Sequence, residues 1–64
     1  MSREKTLSDM KDSLERMKAL ESHAKMFCGD WTKRSVYNAV ISLERAILGL
    51  EAELEEIERL AEEE

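Results

Sequence analysis

Proline is absent from this chain, glycine occurs twice, and cysteine and histidine occur once each among 64 residues. Without proline nothing forces a helix to break. The only plausible interruption is Gly29 followed by Asp30, a glycine past one helix end and a short polar residue before the next. A single cysteine, Cys28, excludes an internal disulfide, and one cysteine with one histidine falls short of the four ligands of a structural zinc site. No apolar run approaches the ~20 residues of a membrane span. The stretch from Met1 to Lys11 is too polar for a secretory signal, so the chain is expected in the cytoplasm and off the membrane. Free Cys28 is compatible with a reducing compartment.

What remains is a short, helix-forming, acidic chain of net charge -5. Its length leaves room for one domain with little core, and such chains need outside help to offset their conformational entropy. With disulfide and zinc excluded, self-association is the remaining aid. The apolar spacing predicts an all-α fold, an antiparallel two-helix hairpin turning near residues 29–31 and assembling into a homo-oligomeric helical bundle. Helix one is expected over about 6–28, opened by a capping-box pattern at Thr6-Leu7-Ser8-Asp9. Its packing face reads Leu7, Met10, Leu14, Met17, Leu20, Ala24 and Phe27. Helix two is expected over about 32–62, with Val36, Val40, Leu43, Ile47, Leu50, Leu54, Ile57 and Ala61 alternating by four and three as a coiled-coil seam.

Tyr37, Ile41 and Leu48 form a second set, off this seam. In an isolated hairpin they face water and forgo roughly 1.5 to 3 kcal/mol of burial per large side chain, which predicts that another protomer covers them. Gly49 costs ~1 kcal/mol against alanine inside a helix, in exchange for either a close helix approach or a local bend. Beyond Leu50 the helix becomes an acidic extension in which Glu55 and Arg59 have the favourable four-residue spacing. Carboxylates pointing around a whole helix do not converge on a metal ion.

Every aromatic residue, with the histidine and the cysteine, falls between His23 and Tyr37. The split is informative: five basic against five acidic residues before this window, three against one within it, and two against nine after it. Lys25, Lys33 and Arg34 interleave with Trp31 and Tyr37, and cations beside flat rings suit a phosphorylated, base-bearing ligand. The plainer alternative is a cluster that plugs the hairpin end.

Catalysis finds little support, because His23 and Cys28 lie five residues apart on different helix faces with no orienting third group, so no enzyme is expected. Duplex nucleic acid needs a broad basic face, which this chain lacks. A compact anion fits better: the first amides of helix two, from Thr32 to Ser35, are unpaired at the positive end of its dipole and flanked by Lys33 and Arg34. Against this, Asp30 or Thr32 could cap the helix, and Asp30 could pair with Arg34.

The run from Thr32 to Ala46, Thr-Lys-Arg-Ser-Val-Tyr-Asn-Ala-Val-Ile-Ser-Leu-Glu-Arg-Ala, resembles the signature of the small helical-hairpin domain of phage sponges against cyclic-nucleotide immune signalling, the anti-CBASS and anti-Thoeris proteins. In that family an arginine opens the second helix, an alanine follows at plus five, and Leu-Glu-x-Ala closes the pattern. Arg34, Ala39, Leu43, Glu44 and Ala46 match in register, and His23-Ala24 matches a His-Ala pair before the turn. The resemblance covers about residues 20 to 50. The family often has proline before its arginine, where this chain has Gly29-Asp30-Trp31-Thr32, and the acidic extension lies outside the pattern.

The resemblance implies a homo-oligomer that sequesters cyclic di- or trinucleotides or cyclic ADP-ribose-type signals between protomers without cleaving them, in an infected bacterial cell. Among the matching residues Arg34 is the phosphate contact. Lys33, Lys25, Trp31, Tyr37, His23 and Thr32 join it as ligand-binding candidates on charge, ring character and position at the helix start, with no catalytic residue, metal or cofactor. The alternative is a helical interaction module that binds and inhibits a host protein through Tyr37, Ile41 and Leu48, with Trp31 as an anchor.

Overall fold

The computed structural model describes residues 2–63, and they form two helices packed as an antiparallel hairpin. α1 spans Arg3–Phe27 and α2 spans Asp30–Glu63, joined only by Cys28 and Gly29. Both helices start earlier than the sequence suggests. Ser2 caps α1, its hydroxyl accepting the Lys5 amide at 3.0 Å, with Glu4 favourably placed in the first turn. Thr6 is not the cap; its hydroxyl donates back to the Ser2 carbonyl at 3.1 Å.

The turn is equally economical. Cys28 ends α1 in extended geometry while its amide still donates to the Ala24 carbonyl at 2.9 Å. Gly29 has no positive φ, so the left-handed glycine ending of a helix is not used. Instead the Gly29 carbonyl accepts the Lys33 amide at 3.0 Å and opens α2. Trp31, expected in the turn, is therefore already helical.

On α2 the seam is as the alternation predicts from Val36 to Leu54, with Val40 and Ile47 buried and the others half-buried. On α1 the register departs from the expectation after Met17. Leu20 and Phe27 are 56% and 70% exposed, and Glu21 and Cys28 occupy the packing positions. Leu7, Met10, Leu14, Met17, Glu21, Ala24 and Cys28 preserve an unbroken three-four alternation, which keeps the stripe facing α2, whereas the step from Met17 to Leu20 rotates off it. Ala24, only 4% exposed, is the buried residue of α1 nearest the turn.

Heptad-spaced ion pairs mark the antiparallel register along one flank. Lys11 lies 3.3 Å from Glu51 and Lys18 lies 4.0 Å from Glu44; off this heptad, Arg3 lies 3.3 Å from Glu53 near the open end. α2 has 34 residues against 25 for α1, so at 1.5 Å per residue it overhangs by about 13 Å. Ile57 lies beside the first residues of α1, Ser2, Arg3 and Glu4, and is 43% exposed, and Ala61 continues the seam one turn further. The rod measures 54 × 16 × 15 Å and exposes 5219 Å². A compact monomer of this mass exposes about 4,200 Å². None of the described helices is long and apolar enough to cross a membrane.

Candidate functional site

The hairpin flank carrying the ion-pair ladder also builds the candidate site. Seven-residue steps lead on α1 from Lys11 to Lys18 to Lys25, and on α2 from Glu51 to Glu44 to Tyr37, so the rung nearest the turn sets a lysine beside a phenol. Lys25 and Tyr37 line a shallow, open depression of about 290 Å³ with Asp30, Lys33 and Arg34. Four of the seven ligand-binding candidates thus come together.

The electrostatics differ in one respect from the sequence reading. Asp30 lies 3.9 Å from Lys33, not against Arg34, and Lys25 lies 3.9 Å from Glu21. Arg34 makes no ion pair among the described residues. Both observed pairs are long and solvent-exposed on at least one side, so water and salt weaken them. Three cations against one aspartate leave the depression net positive, with a guanidinium whose planar fork is available to an anion.

The helix start contributes differently from the expectation. Because α2 begins at Asp30, the Lys33 amide is satisfied by Gly29, and Arg34 and Ser35 are inside the helical ladder. The orphan first-turn amides belong to Asp30, Trp31 and Thr32, beside a carboxylate that already complements the dipole. Contact between an anion and the Lys33–Arg34 pair must therefore come from side chains.

Trp31, Thr32 and His23 lie outside the depression. Trp31 is 83% exposed, and its carbonyl accepts the Ser35 hydroxyl at 2.9 Å. The His23 ring rests against Phe27, centroids 4.7 Å apart and planes tilted by 42°. Cys28 is half-buried at the α1 end, five residues and a rotation of about 140° from His23. Among the described residues no three His, Cys, Asp or Glu side chains gather as a metal site.

The Tyr37, Ile41 and Leu48 set lies on the same flank. Tyr37 and Leu48 are 52% and 65% exposed and Ile41 is half-buried. Leu48 shares an apolar notch of about 220 Å³ with Leu14, Glu44 and Ile47. Tyr37 thus belongs both to the basic depression and to the apolar stripe. Leu14 and the notch were missed by the sequence reading, which assigned Leu14 to the seam alone. Comparison of the chain with known protein families, with curated proteins and with solved structures found no match.

Proposed function

We propose that the chain is a non-catalytic binding protein that lowers the free concentration of a cyclic oligonucleotide or cyclic ADP-ribose-type signal, counteracting antiphage defence. The observation carrying this reading is the convergence of Lys25, Lys33, Arg34 and Tyr37 around one open depression. Its chemistry matches a phosphate flanked by a base: Arg34 and the lysines attract the phosphate, and the phenol offers a stacking face. The resemblance of Arg34, Ala39, Leu43, Glu44 and Ala46 to the sponge signature supports the same class.

At about 290 Å³ the depression lies at the small end of pockets that hold organic ligands, which run to roughly 1,000 Å³. One protomer offers half an enclosure. The exposed Tyr37 and Leu48 stripe runs along the same flank, so a second protomer packed on it would stand over the depression and complete the site between chains. A screen of cyclic di- and trinucleotides and cyclic ADP-ribose isomers by calorimetry tests the reading. Ligand recovered after denaturation should be chemically intact; linear product above the protein-free control would overturn sequestration.

The exposure of Leu48 and Trp31 favours a second reading, a module that docks on and inhibits a host protein. No response to any cyclic nucleotide, with a host protein bound stoichiometrically and released by Leu48→Asp, would install it in place of the first.

A further inference from the structure

The ladder along the binding flank ends in unlike ways at the two ends of the rod. Lys11 pairs with Glu51 and Lys18 with Glu44, but one seven-residue step further toward the open end sets Glu4 beside Glu58. These two carboxylates line a single groove of about 490 Å³ with Leu54, Ile57 and Ala61. Neither forms an ion pair with any described residue. Arg59, the lone cation of the α2 overhang, is engaged by Glu56 and Glu63. Among the described residues, the groove therefore joins the accessible end of the apolar seam to two carboxylates that form no ion pair.

The turn end presents the converse. Met26, Phe27 and Trp31 are 76%, 70% and 83% exposed at the same end of the rod as Lys25, Lys33 and Arg34, which forms no ion pair among the described residues. Between residues 25 and 34 there are three cations against one aspartate, and at the open end, over residues 2–5 and 54–63, six glutamates against three cations.

We infer that the acidic overhang of one copy docks on the basic, aromatic turn end of another, so that the chain associates head to tail. Open end against open end would stack like charges around Glu4 and Glu58, and turn against turn would oppose lysines and arginines; the unlike ends alone are complementary in both charge and apolar content. A cation from the second copy's Lys25 or Arg34 supplies the partner that the Glu4 and Glu58 rung lacks, while Phe27 or Trp31 covers Ile57. Such a contact is heterologous and either closes into a ring or propagates. It does not depend on the ligand reading, but it draws on Lys25 and Arg34 of the depression that Tyr37 also lines, so a docked overhang and a bound anion compete there.

Sedimentation velocity over a range of protein concentrations, with the emission of Trp31 as a second readout, tests this. At about 0.05 M salt the full chain should grow in mass with concentration and Trp31 emission should shift to the blue; at about 0.5 M salt association should weaken at least about tenfold. Lys25→Glu with Arg34→Glu, and separately Glu58→Lys with Glu62→Lys, should each stop the growth. Mixing the two double variants should restore it, because each then offers the end the other lacks. Folding of each is checked by circular dichroism. A wild type whose mass is independent of concentration and salt, growth unchanged in both variants, or two folded variants that stay apart when mixed would overturn the inference.

Discussion

Lys11 Nζ lies 3.3 Å from Glu51 Oε2 across the hairpin, and the two residues are one rung from the Lys18 and Glu44 pair. Lys11 is exposed and Glu51 still partly open to solvent, so the pair specifies register more than it stabilises. A double-mutant cycle with Lys11→Ala and Glu51→Ala should give a coupling energy of about 0.2 to 1 kcal/mol, shrinking in salt. A coupling above about 2 kcal/mol would mean that the pair is shielded in solution by something the hairpin itself does not supply.

Gly49 lies inside α2 with no positive φ, and nothing beyond its own stretch of helix backbone comes within 4 Å of the place a methyl group would occupy. Within the hairpin neither a close approach nor a turn requires it. Gly49→Ala should therefore raise stability by about 1 kcal/mol, or about 4–8 °C in Tm for a domain of this size. A fall in Tm would place another helix against this position.

Arg34→Ala should weaken binding of a cyclic nucleotide at least about tenfold, since a charge-assisted hydrogen bond contributes ~1.5 to 3 kcal/mol. Asp30→Ala removes the one anion at the depression and should leave binding equal or tighter. Titration calorimetry distinguishes these outcomes, and unchanged affinity in Arg34→Ala and Lys33→Ala, with both folded, would move the site elsewhere.

Leu48→Asp places a charge on the exposed stripe, at a position 65% accessible in the hairpin. It should leave the helix content of a dilute sample unchanged while abolishing lateral association and lowering the concentration dependence of melting. Light scattering that shows the same mass for variant and wild type would remove the stripe from the assembly. Ile41→Asp is the less selective variant, because Ile41 is half-buried within the hairpin.

The α2 seam was legible because its aliphatic residues hold a strict alternation, and only that helix face could be buried. α1 was legible at Ala24 and as far as Met17. Beyond it Leu20 and Phe27 are more hydrophobic than Glu21 and Cys28, so a reading by hydrophobicity leaves the register that geometry keeps. Tertiary packing decided that contest. The helix starts were displaced because Ser2 caps with no glutamate three residues on, while Thr6 presented the fuller pattern and donates backward instead. At the candidate site, Lys25, Lys33, Arg34 and Tyr37, singled out by charge and ring character, line one depression, and the heptad step explains why Lys25 and Tyr37 meet. Trp31 was read as part of a turn; as a residue of the first turn of α2 it is held on a different face.

The unequal lengths of α1 and α2 grade the protection of the backbone along the rod. Amides near Val40 and Ile47 are shielded by both helices, whereas those of the final turns of α2 are held only by their own helical bonds and by Arg59 with Glu56 and Glu63. Deuterium should enter from the open end and slow progressively toward the middle of α2. A small occupant of the Leu54, Ile57 and Ala61 groove would slow exchange only in the last turns, whereas the turn end of a second copy would slow it around residues 25–34 as well, which makes the two ends of one short chain separately observable in a single experiment.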